Sequence, residues 1–99
     1  MKITFRQSGG FAGLVRGCDL DTDSLNSNEA EQLETLVQQS KIMQTQSSST
    51  PQANDLRSYQ FLIEAPVGKY QVSFDDMSLP EDVRPLLKYL QNRAKPQSL

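Results

Sequence analysis

No histidine occurs in the 99 residues. That removes the usual general base, the usual imidazole metal ligand and every His-dependent catalytic triad. Serine–lysine chemistry stays formally open, but nothing marks a serine as activated, so the chain reads as a non-enzyme. Cys18 is the only cysteine, which excludes an internal disulfide. It stands in an alternating stretch and reads as a small core residue rather than a nucleophile. The run "DLDTDS" at 19–24 opens like a calcium loop, with carboxylates at alternate positions. The full motif also needs Gly at the sixth place and Glu at the twelfth. Ser24 and Ala30 stand there instead, so the run reads as a polar lead-in to a helix. No metal and no cofactor are expected.

The remaining feature with chemical content is backbone. Four of the five glycines lie within residues 8–17, "SGGFAGLVRG", with Phe11 in the middle. Glycine is needed where the chain turns with positive φ or approaches something closely, and a plain hairpin turn needs one or two. Phe11 folding back to cap the core is one reading. Phe11 pointing outward as an anchor for a partner's pocket is another. A phosphate cradle is a third, but no helix and no lysine follow the loop as that motif requires.

These segments must be positioned by elements that the hydrophobic period reveals. Residues 2–7, "KITFRQ", alternate in polarity, with Ile3 and Phe5 on one side, and predict a half-buried strand. Residues 14–20, "LVRGCDL", alternate again; Gly17 predicts a bulge or a close backbone approach. The two form a hairpin around the glycine-rich tip. The period then changes. Ala30, Leu33, Leu36 and Val37 predict a helix over Ser27–Ser40, with Asn26 and Glu29 as a capping box. Residues 44–55 hold no large apolar side chain and predict a mobile polar loop. "RSYQFLIEA" and "KYQVSFD" flank the turn "APVG" and give the strongest hairpin signal. Val83, Leu86, Leu87, Leu90 and Ala94 mark a closing helix, with Asp82 expected as its cap and Pro85 in its first turn.

The expectation is one α+β domain over residues 1–99. Its sheet is antiparallel and four-stranded, the order is β-β-α-β-β-α, and both helices pack on one face.

Composition excludes other classes. Net charge is −2, and the ten basic residues are spread singly, so no nucleic-acid footprint is expected. No apolar run approaches the ~20 residues of a membrane span, and the first residues show no apolar leader. The expected location is cytoplasmic and the free protein a monomer. Between Arg16 and Lys41 there are only acids: Asp19, Asp21, Asp23, Glu29, Glu31 and Glu34. A solvated helix face is the plainer reading; a partner with a basic rim is the other.

The segment "ITFRQSGGFAGLVRGCDLD", the leucine-led acidic helix, the strands "YQFLIEA" and "KYQVSFDD", and "RPLLKYL" at 84–90 together resemble the emfourin-like inhibitors of thermolysin-like zinc metalloproteases. The resemblance covers most of the chain. It implies a small bacterial antagonist of a thermolysin-like protease made by the same organism. It also implies that the hairpin tip Ser8, Gly9, Gly10, Phe11, Ala12, Gly13 and Leu14 is presented to the substrate cleft. Such enzymes, by the same resemblance, prefer a bulky apolar residue after the scissile bond, a place for Phe11 or Leu14. The alternative is a non-catalytic adaptor using the same loop on another partner.

Overall fold

The computed structural model describes residues 1–9, 15–48 and 56–96. Strands β1 (Lys2–Ser8) and β2 (Arg16–Asp21) precede helix α1 (Ser27–Ser40). Strands β3 (Ser58–Ala65) and β4 (Gly68–Asp75), helix α2 (Arg84–Arg93) and a two-residue strand β5 (Lys95–Pro96) follow. All pairings are antiparallel, and the sheet order is β4-β3-β1-β2-β5.

The α+β class holds, but the four-strand expectation does not. The sheet has five strands, and the chain order ends on a strand after the second helix. Lys95 and Pro96 pair with Gly17 and Arg16 at the edge of β2. No alternation of polarity marks two such residues, and proline is tolerated on an edge strand where its missing N–H costs nothing.

Period-2 geometry puts Ile3 and Phe5 of β1, Tyr59, Phe61 and Ile63 of β3, and Val72 and Phe74 of β4 on one face. All are buried. Phe5 stands opposite Phe61 in the register, with ring centroids 5.4 Å apart. Leu33 and Val37 of α1 and Leu86, Leu87, Tyr89 and Leu90 of α2 join the same cluster. Both helices therefore cover that face. Leu36 is only half-buried at its margin, while Ile42, Leu79 and Val83 complete the core from the connecting turns. The other sheet face carries Thr4, Arg6, Asp19, Gln60 and Gln71, by the same alternation.

Local chemistry sets the helix ends. The Glu29 N–H donates to the Asn26 side chain at 2.8 Å, which satisfies one of the free donors of the first turn. Lys41 ends α1 in the left-handed region with φ 55°. Asp82 does not cap α2. It lies in a 3₁₀ turn, Glu81–Val83, and the helix begins behind it with Val83 as N-cap and Pro85 in its first turn. Instead, the Asp82 carboxylate lies 4.0 Å from the Lys41 ammonium, linking the helix ends.

Gly17 makes no bulge, since the β1–β2 register runs unbroken from Lys2–Asp21 to Gln7–Arg16. A Cβ there would collide with the Phe5 carbonyl and come within 2.7 Å of the Arg6 side chain. Close backbone approach is the operative reason for this glycine.

Candidate functional site

One end of the sheet gathers the segments that could recognise a partner. Ser8 closes β1, opposite Ser58 of β3, and Ser58 in turn stands opposite Asp75 of β4. The glycine-rich hairpin, the entry to β3 and the exit from β4 thus leave the sheet side by side. Of the expected contact residues, Ser8 and Gly9 lie within the described structure. Gly10, Phe11, Ala12, Gly13 and Leu14 lie outside the described residues.

Gly9 is obligatory on two counts. Its φ is +98°, and a Cβ would stand 2.7 Å from the Leu56 carbonyl oxygen and 3.3 Å from the Arg57 Cα. The base of the hairpin is therefore pressed against the chain entering β3. Below it, the Gln91 side-chain amide of α2 donates to the Gln7 side-chain oxygen at 2.9 Å. On the returning strand, Arg16 reaches the Ala94 carbonyl at 3.3 Å and pairs with Pro96. Both feet of the hairpin are tied to α2 or its C-terminal extension.

The neighbouring segments are tied to each other. The Arg57 N–H donates to one Asp76 carboxylate oxygen at 2.9 Å, and the Asp76 N–H returns to the Arg57 carbonyl at 3.2 Å. The Tyr59 hydroxyl donates to the other carboxylate oxygen. Burial first, then the hydrogen bond and charge of Asp76, push the Tyr59 phenol up to about 12. The Asp75 side chain accepts from the Met77 and Ser78 N–H groups at 2.9 and 2.8 Å, and Ser78 Oγ accepts from the Asp75 N–H. This closes a tight turn, with the Met77 side chain 71% exposed.

Part of the polar 44–55 segment also reaches this end. Ser47 Oγ accepts from the Ser73 N–H at 2.9 Å, and the Ser48 N–H donates to the Ser73 carbonyl at 3.0 Å. Ser48 and Ser78 exchange further hydrogen bonds. Sequence reasoning did not anticipate Arg57, Asp76 or Met77. The signal was there in "DDMSLP": an Asp with a Ser three residues on, before a proline, is turn chemistry, and it encloses a methionine.

The other chemical candidates resolve into structure. Cys18 sits half-buried with its sulfur 3.7 Å from the Leu90 carbonyl. Burial, then the charge of Asp19, push its thiol up, away from nucleophilic use. Asp19 pairs with Arg6 at 3.4 Å. The Asp21 side chain accepts from the Asp23 N–H at 3.0 Å. Among the described residues, no group of three or more His, Cys, Asp or Glu side chains is placed to hold a metal ion. No described helix is long and apolar enough to cross a membrane.

The α+β fold thus ties the described base of this hairpin, at Gln7, Gly9 and Arg16, to α2, its C-terminal extension and the chain entering β3. The family model described as Emfourin matches residues 5–91, and the chain belongs to that family. Membership points to a protease-inhibitor role. Neither the curated proteins nor the solved structures contain a match to the chain.

Proposed function

We propose that this protein inhibits a thermolysin-like zinc metalloprotease of its own organism by inserting the hairpin tip into the substrate cleft. Residues 8–14 occupy the cleft in competition with substrate, and Phe11 or Leu14 fills the pocket that takes an apolar residue after the scissile bond. The inhibitor acts in the cytoplasm and is a monomer when free.

The observation that carries this reading is the hairpin base. Gly9 is locked against Leu56 and Arg57, and Gln7 and Arg16 are tied to the far end of α2. An inhibitor must present a segment without losing much entropy on binding. Fixing the ends of that segment achieves this.

The experiment is a titration of a thermolysin-like protease, followed by peptide hydrolysis at several substrate concentrations. Competitive inhibition is expected. Truncating a central aromatic anchor costs about 2 kcal/mol or more, so Phe11→Ala should weaken inhibition about thirtyfold, with the melting temperature unchanged. Proportionate loss of stability and inhibition would make Phe11 a core residue. Normal values for both would move the interface elsewhere, and no inhibition by the unaltered protein would favour the adaptor alternative.

A further inference from the structure

Among the described residues, two large hydrophobic side chains stand well exposed, Val67 and Met77. They lie at opposite ends of the sheet. Val67 is in the turn joining β3 to β4, Ala65 and Gly68 being paired. Met77 follows the other end of β4, where Asp75 stands opposite Ser58 and Ser58 opposite Ser8. Two strand spacings, about 10 Å, separate the ends of β1 and β4. A standard interface covers about 800 Å² on each partner, so one partner seated on the hairpin also reaches the Met77 turn.

The turn is held for presentation. Asp75 accepts from the Met77 N–H, and Asp76 is joined to Arg57 in both directions and to Tyr59. The backbone under Met77 is thus fixed to the same chain segment, Leu56 and Arg57, against which Gly9 is pressed. Hairpin base and turn thus share residues 56 and 57 as a common contact. Turn positions of this kind usually carry Gly, Asn, Asp or Ser; an exposed methionine adds nothing to the turn itself. Its unbranched, polarisable side chain adapts to irregular apolar pockets.

We propose that Met77 is a second anchor of the inhibitory surface, entering an apolar pocket on the protease rim beside the substrate cleft. This rests on the reading that the hairpin end of the sheet meets the protease. The surface is then two-pronged, with the hairpin tip in the cleft and the methionine beside it.

The test compares Met77→Ala, Met77→Leu, Val67→Ala and Phe11→Ala as inhibitors of a thermolysin-like protease. Met77→Ala should weaken inhibition about tenfold, Met77→Leu should stay near the unaltered protein, and Val67→Ala should change nothing. Melting temperatures should be level for both Met77 variants, since the side chain faces solvent. Peroxide footprinting of the full complex gives an independent readout: oxidation of Met77 should fall on binding. Normal inhibition by Met77→Ala, with Met77 equally oxidised in the complex, overturns this inference and leaves a Phe11-dependent mechanism standing. Loss on Val67→Ala with neutral Phe11→Ala and Met77→Ala overturns both, because the partner then meets the opposite end.

Discussion

The Arg6 guanidinium lies in the space that a side chain at residue 17 would need. It donates to the Phe5 carbonyl at 2.8 Å and the Cys18 carbonyl at 3.4 Å, and it pairs with Asp19. A Cβ on Gly17 would meet both the Arg6 side chain and the Phe5 carbonyl. Overpacking of this kind costs about 1–3 kcal/mol, so Gly17→Ala should lower the melting temperature, by about 4–8 °C per kcal/mol for a domain of this size. Adding Arg6→Ala should restore only part of the loss, because the Phe5 carbonyl remains. Full recovery in the double variant would show that the backbone contact is harmless.

Gly9 and Gly68 both have positive φ, but only Gly9 faces neighbours; a Cβ at Gly68 meets nothing within 4 Å. A non-glycine residue held in such a conformation costs on the order of 1–3 kcal/mol. Gly9→Ala and Gly68→Ala should both destabilise the fold. Only Gly9→Ala should also weaken inhibition beyond what its stability loss explains, because it moves the hairpin base off Leu56. Equal inhibition by the two variants at saturating stability would separate the hairpin base from function.

Leu33 is fully buried and Leu36 half-buried on the same helix. Leu33→Ala should cost about 2–5 kcal/mol, and Leu36→Ala less than half of that. Urea unfolding of both variants checks this through their midpoints at unchanged slope. Matched midpoints would remove the distinction between the buried stripe and its margin.

The Tyr59 phenol supplies a pH dependence. Its ordinary value is near 10 and the folded value is about 12, so between these the unfolded chain loses a proton that the folded chain keeps. Stability that is intact below about pH 10 should therefore decline as pH rises toward 12. Tyr59→Phe should start less stable, having lost the bond to Asp76, but its melting temperature should fall less over that interval. Parallel curves for the two proteins would mean that another group governs the alkaline limb.

Several elements were legible because their signal is local. Helix α1 runs over Ser27–Ser40 as its period and the Asn26 cap indicated, and the β3–β4 hairpin follows from alternation on either side of "APVG". What was missed depends on distant partners. Lys95–Pro96 becomes a strand only because β2 has a free edge where α2 ends. Asp82 has good capping chemistry but turns toward Lys41, forty-one residues earlier in the chain. Ser47 and Ser48 lie outside any helix or strand, as their polarity indicates, but their hydrogen bonds to Ser73 at the outer edge of β4 leave no local mark. Glycine content pointed to an unusual backbone in this segment, and Gly9 has φ +98°. The reason for that glycine, the Leu56 carbonyl, lies nearly fifty residues away and leaves no local trace.

The sheet order has a kinetic consequence. Each hairpin, β1–β2 and β3–β4, closes over a short stretch of chain, but they meet only through β1 and β3, where Phe5 finds Phe61 across about 55 residues. Non-local pairing of this kind must be reached before its contacts compensate for the entropy of closing the ring, and it slows folding accordingly. The search that joins the two hairpins at the centre of the sheet, rather than the formation of either, is the step expected to set the folding rate. Because that entropy grows only logarithmically with ring size, about 0.6 kcal/mol per doubling, the stretch between α1 and β3 can change length with little effect on that pace.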